Sequence, residues 1–64
     1  MEYVVITTKG NNVEVLSRHS DYDSALAAGK SSYEKLNRTV SIISGNINDK
    51  GEITGKYKLY KSWF

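Results

Sequence analysis

Residues 20–36 read SDYDSALAAGKSSYEKL, and nowhere else does the chain keep a helical period for so long. Tyr22, Ala25, Leu26, Gly29, Tyr33 and Leu36 recur every three or four residues, which sets them on one face of a helix. Ser20 or Asp21 is placed to cap its start, and Ser20 with Asp23 has the spacing of a capping box. Asp21 and Asp23 stand near the positive end of the helix dipole, Lys35 and Arg38 near the negative end. Asn37 tolerates left-handed backbone and marks the stop. Gly29 falls in the middle of the apolar stripe, where glycine costs about 1 kcal/mol relative to alanine. With small Ala25 and Ala28 nearby, it points to close approach of this helix to a sheet.

Working outward, residues 2–8 (EYVVITT) and 13–18 (VEVLSR) are dense in β-branched and aromatic side chains, the composition of strands. Lys9-Gly10-Asn11-Asn12 between them is a hairpin turn cluster. A two-residue turn at Gly10-Asn11 sets Thr8 opposite Val13 and Ile6 opposite Val15. One side of this ribbon is then Val4, Ile6, Val13 and Val15, purely aliphatic and expected to face the helix. The other side carries Tyr3, Val5, Glu14, Leu16 and Arg18 and is expected to stay open.

Downstream of the helix, residues 39–47 (TVSIISGNI) read as a third strand, and Asn48-Asp49-Lys50-Gly51 as a turn. Residues 52–63 form a long fourth strand. Its alternation puts Ile53, Gly55, Tyr57, Leu59 and Trp63 on one side, and Lys56, Lys58 and Tyr60 on the other. Gly45 and Gly55 interrupt these strands and mark bulges or a bend. The expected fold is α+β in the order β-β-α-β-β, a four-stranded antiparallel sheet with one helix packed on one face. The spatial order 2-1-3-4 is favoured, with 1-2-3-4 as the alternative.

Sixty-four residues make a single domain spanning the whole chain, and a core of that size is marginal enough for oligomerisation to be a common supplement. There is no cysteine, so neither a disulfide nor a thiolate metal site can form. The formal charge of +2 is too small to demand an anionic partner. No apolar run reaches the length of a membrane span and the N-terminus lacks a signal-peptide layout, so the expected location is cytoplasmic.

Chemistry-bearing constellations are sparse. His19 is the only histidine. It stands near Asp21 and Asp23, with no second histidine or cysteine to complete a metal site, and reads as a polar residue at a strand-to-helix junction. Asn46–Ile53 imitates a calcium loop, but Lys50 occupies a ligand position and Tyr57 stands where a bidentate carboxylate is required. No glycine-rich phosphate loop is present and no nucleophile is paired with a base. The expectation is a non-enzymatic protein with no catalytic residue, no metal and no cofactor. The run Lys56-Tyr57-Lys58-Leu59-Tyr60-Lys61-Ser62-Trp63-Phe64 is the most suggestive feature. Rings interleaved with cations suit stacking on bases and neutralising phosphates. The same pattern equally describes a strand that completes a small core and guards its edge with lysines.

YVVITTKGNNVEVLSRHSDYDSALAAGKS, a hairpin running into an acid-capped, alanine-rich helix, resembles the small single-domain proteins of phages and prophages, as does the glycine-turned last hairpin. The resemblance implies an accessory or counter-defence protein that binds a host protein or sequesters a nucleotide-derived signal at a homodimer interface. Under the sequestration reading, Arg18, Lys58 or Lys61 would meet phosphate, and Tyr3, Tyr57, Tyr60 or Trp63 would stack on a base or ribose, with His19 alongside. A protein-interaction module would use the open face or an edge strand, and a nucleic-acid binder the lysine-rich last strand.

Overall fold

The protein is described by a computed structural model covering residues 2–48 and 52–64. Strands β1 (Tyr3–Lys9) and β2 (Asn12–His19) precede helix α1 (Tyr22–Leu36), and β3 (Val40–Ile47) and β4 (Ile53–Trp63) follow it. All four strands join one antiparallel sheet in the order β2-β1-β3-β4. This is the expected α+β fold with the favoured strand order. The turn residues 49–51 lie outside the described residues, and with them the centre of the calcium-like segment.

The first hairpin has the register expected of a two-residue turn, Thr8 opposite Val13 and Ile6 opposite Val15. Gly10 takes φ of +64°; a glycine with positive φ at the first turn position is what a type II′ turn requires. The helix starts one residue later than a Ser20–Asp23 capping box would place it. Asp21 is the cap, its carboxylate accepting from the Ser24 amide at 2.8 Å and from the Ser24 hydroxyl at 2.9 Å. Asn37 ends the helix in left-handed backbone, its amide donating to the Tyr33 carbonyl at 3.0 Å. Of the proposed stripe, Ala25 and Gly29 are buried and Tyr22, Leu26 and Tyr33 half-buried, whereas Leu36, in the last turn, is exposed.

The helix packs on the opposite side of the sheet from the one expected. Beneath it lie Val5, Val40 and Ile42, flanked by Tyr3, Leu16, Tyr60 and Trp63. The aliphatic set Val4, Ile6, Val13 and Val15 faces away, clustered with Ile43, Ile47 and Ile53. The two sets of the first hairpin are the expected ones, but the helix covers the set with Tyr3, Val5 and Leu16; bulges move only single residues between sides. The pairing of β2 slips where Val5 opposes Ser17 and Ile6 opposes Val15, so Leu16 is the extra residue. Beyond that point the two-residue alternation is reset, and Arg18 comes to lie beside Val4 rather than beside Val5. β4 slips likewise between the partners of Ile42 and Ile43, with Tyr60 as the extra residue. Trp63 and Tyr60 therefore share the helix side, while Leu59 pairs with Ile43 on the other.

Gly29 explains why the tryptophan fits. A Cβ added there would overlap the Trp63 ring, 2.7 Å from Cη2. The helix thus comes close to the end of β4 at the one position of its inner face that has no side chain. Polar groups beneath the helix are satisfied: the buried Thr7 donates its hydroxyl to the Thr39 carbonyl at 2.7 Å.

The second side has a small core of its own. Ile43 and Ile47 would stand about 13 Å apart along a straight strand, yet they belong to one cluster. The strand bends between them at Gly45, where φ is +151° and the register slips again. Ile47 and Ile53 pair with each other beyond this slip and share the cluster. Arg18 secures that end, donating to Glu2 Oε1 at 2.8 Å and to the Ile47 carbonyl at 3.2 Å.

Candidate functional site

The eight residues singled out for ligand contact do not form one site; the sheet divides them. Tyr3, His19, Tyr60 and Trp63 are on the helix side, with Lys58 and Lys61 reaching over two of the rings, while Arg18 and Tyr57 belong to the side away from α1.

On the helix side, Tyr3 of β1, Tyr22 at the start of α1 and Tyr60 of β4 meet as a three-ring cluster. Their centroids are 5.6, 5.2 and 5.9 Å apart, and both contacts of Tyr3 are edge-to-face, the geometry that ring quadrupoles favour. β3 runs between β1 and β4, and the rings can close over it because Ser44 is small. Its hydroxyl donates to the Tyr60 hydroxyl at 3.2 Å. Tyr22 is the member that sequence reasoning missed as a ring partner. It was legible as part of a helical stripe, but nothing local says that two strands will bring rings to it.

The two lysines complete this edge. Lys58 Nζ lies 5.2 Å from the centroid of Tyr60, and Lys61 Nζ lies 5.3 Å from that of Trp63. Both are cation–π distances, so each ammonium already has an aromatic neighbour. His19 is hydrogen-bonded through Nε2 to the Ser17 hydroxyl at 2.8 Å. The Asp21 carboxyl is held below the usual aspartate range, first by the Ser24 amide, then by the Ser24 hydroxyl, with a smaller push from His19. These are capping interactions, and they give Asp21 no role beyond the helix terminus. Among the described residues no three of His, Asp and Glu gather into a metal-binding group.

The side away from α1 is chemically different. Its centre is dry, with Val4 and Ile43 at 0% and 1% exposure. Val13, Val15 and Ile53 around it are half-buried, and Leu59 and Tyr57 are each 56% exposed. Gly45 opposite Tyr57 has no side chain to cover the ring. Arg18, which the register places here, is paired with Glu2 at 2.8 Å. Among the described residues the arrangement offers apolar contact beside the Arg18–Glu2 ion pair. Sequence reasoning had assigned Val13 and Val15 to the helix; they keep their expected register with Thr8 and Ile6, and the helix packs on the other side, where Trp63 meets Gly29.

No helix among the described residues is long and apolar enough to cross a membrane. No protein-family model, curated protein or solved structure matches the chain.

Proposed function

We propose that this is a non-enzymatic binding protein whose working surface is the sheet side away from α1, presented to another polypeptide. The observation that carries the reading is the pair Leu59 and Tyr57, more than half exposed on the β4 edge of this side, next to its buried centre, where Leu59 pairs with Ile43. A contiguous apolar patch on a folded domain usually marks a contact site. A photo-crosslinking amino acid in place of Leu59 tests it, with the same group in place of the exposed helix residue Lys30 as control. Polypeptide labelling from position 59 and not from position 30 is expected. Equal labelling from both positions, or none from 59, overturns the reading.

The lysine–ring pairs favour a second reading, in which a small anionic nucleotide-like ligand is held along β4 by Lys58 and Lys61, with Tyr60 and Trp63 beside it. Arg18 and Tyr57 have no part in it, because they belong to the other side. Thermal scanning with cyclic and ADP-ribose-type nucleotides tests it: stabilisation abolished by Lys58→Ala/Lys61→Ala is expected, and no shift with any of them ends it. A counter-defence role of the kind the phage resemblance implies is compatible with either surface, through occupation of a host protein or through sequestration of a nucleotide signal.

A further inference from the structure

We infer that the polypeptide partner is an extended acidic segment that adds to the outer edge of β4 as a fifth strand, with two acidic side chains flanking an apolar one. The inference rests on the proposed polypeptide contact and deepens it, naming the chemistry of the partner and the way it docks.

The two edges of the sheet differ. β2 and β4 are the outer strands, so each has a strand neighbour on one flank only, and an edge of this kind is a template for strand addition. β2 carries charge of both signs, Glu14 with Arg18, and its apolar residues Val13, Val15 and Leu16 are half-buried. β4 carries Lys56, Lys58 and Lys61, all exposed, and residues 53–64 hold no Asp or Glu. Lysines alone would only guard an edge. A guarded edge gains nothing from apolar side chains, yet Tyr57 and Leu59 alternate with these lysines and are each 56% exposed. Cations and exposed apolar groups together fit a strand that is acidic and partly apolar.

Pairing with β3 sets the pattern of that strand. Lys58 is opposite Ser44 and Lys61 opposite Ile42, both on the helix side, while Leu59 is opposite Ile43 on the other. Because Tyr60 is the extra residue of the bulge, Lys58, Leu59 and Lys61 oppose three consecutive residues of β3. A strand laid along the outer flank in the same register sets an acidic residue beside Lys58, an apolar one beside Leu59 and an acidic one beside Lys61, pairs that cross-strand geometry rewards. Tyr60 and Trp63 steady the two ammoniums on that side, at 5.2 and 5.3 Å from the ring centroids. A second copy of this chain does not suit the edge. β4 against β4 brings two sets of lysines together, and the chain's own acidic–apolar–acidic run, Asp21-Tyr22-Asp23, is built into the start of α1 with Asp21 as its cap.

Titration of the whole chain with the end-blocked peptide Thr-Thr-Glu-Val-Glu-Thr-Thr, followed by amide chemical shifts, tests this. The largest shifts are expected along residues 56–62 with little change along β2, and binding should weaken as salt is raised. Lys58→Gln/Lys61→Gln should raise the dissociation constant about tenfold while leaving the circular dichroism of the fold unchanged. Alternate amides of a strand face its neighbour, so of two further peptides, one N-methylated at the valine and one at both glutamates, one should lose binding. Strand addition is overturned if both methylated peptides bind as well as the parent, or if the largest shifts fall on β2. The acidic character is overturned if a Gln-Val-Gln peptide binds equally well. No shift at about millimolar peptide overturns the whole inference. The polypeptide contact itself then stands if a crosslinker at position 59 still labels a polypeptide, and falls too if it labels nothing.

Discussion

Ile42 and Ile43 are neighbours in β3, both essentially buried, and they point to opposite sides of the same sheet. Below Ile42 lies a helix with aromatic rings from three elements around it. Ile43 has only the aliphatic residues of the sheet itself, drawn together by a bend at Gly45. One core is closed by a second layer and finished; the other is closed at its centre and left open at its rim. The contrast teaches that a small sheet can dry its own middle by curling, but still needs something outside itself to cover Leu59 and Tyr57.

The contrast can be broken most directly by cutting each core in turn. Ile42→Ala and Ile43→Ala are each expected to cost about 2–5 kcal/mol, a large part of the roughly 3–10 kcal/mol that a domain of this size has in hand. Urea unfolding measures both. If Ile43→Ala costs under about 1 kcal/mol, the second side is not a core but a surface that happens to be shielded.

Gly29→Ala comes next. Overlap with Trp63 should cost about 1–3 kcal/mol, against a gain of about 1 kcal/mol in helix propensity. A net loss is expected in the same unfolding assay. In Trp63→Leu, which removes the ring, Gly29→Ala should become neutral or stabilising. Additivity of the two changes would show that the helix does not lean on the tryptophan.

Leu59→Lys should move the unfolding free energy of the single chain by no more than about 0.5 kcal/mol, the range of ordinary surface changes. It sharpens the contrast, because a charge is tolerated at an exposed rim position and not in a closed core. A loss of several kcal/mol measured under monomeric conditions would place Leu59 in the core instead.

The smallest effect is expected from the helix cap. The Asp21 carboxyl is lowered in the folded chain, so its contribution is fully present above the ordinary aspartate range near pH 4. It is lost as pH falls through the folded value. Asp21→Asn keeps a capping side chain without the titration, and should flatten the stability profile below about pH 4. An unchanged profile would mean that other carboxylates set the acid limit.

Much of this architecture was legible in the order of residues. The helical period of residues 20–36, the turn at Gly10-Asn11 and its register, and the close approach at Gly29 follow from local chemistry, and the strand order is the favoured of the two that the element order left open. What escaped was which side the helix covers. The two sides of the first hairpin were legible, but the all-aliphatic one was given to the helix; the extra residues Leu16 and Tyr60 moved only Arg18 and Trp63 to the sides opposite those expected. Bulges of this kind have no compositional signature when the residue is not glycine. The ligand candidates are scattered partly by plain alternation, which sets Tyr57 and Tyr60 on opposite sides as expected, and partly by the bulges, which carry Arg18 and Trp63 across the sheet.

The strand order also shapes how the chain reaches this state. Each hairpin can zip from its own turn, but the seam joining them pairs Val4 with Ile43 and Val5 with Ile42 across the whole helix. That closure carries the entropy of a long loop, and pairing across such a sequence distance is slow compared with forming a hairpin. The seam is therefore where the folding barrier should lie, and α1, docked early against either hairpin, is the element placed to lower it.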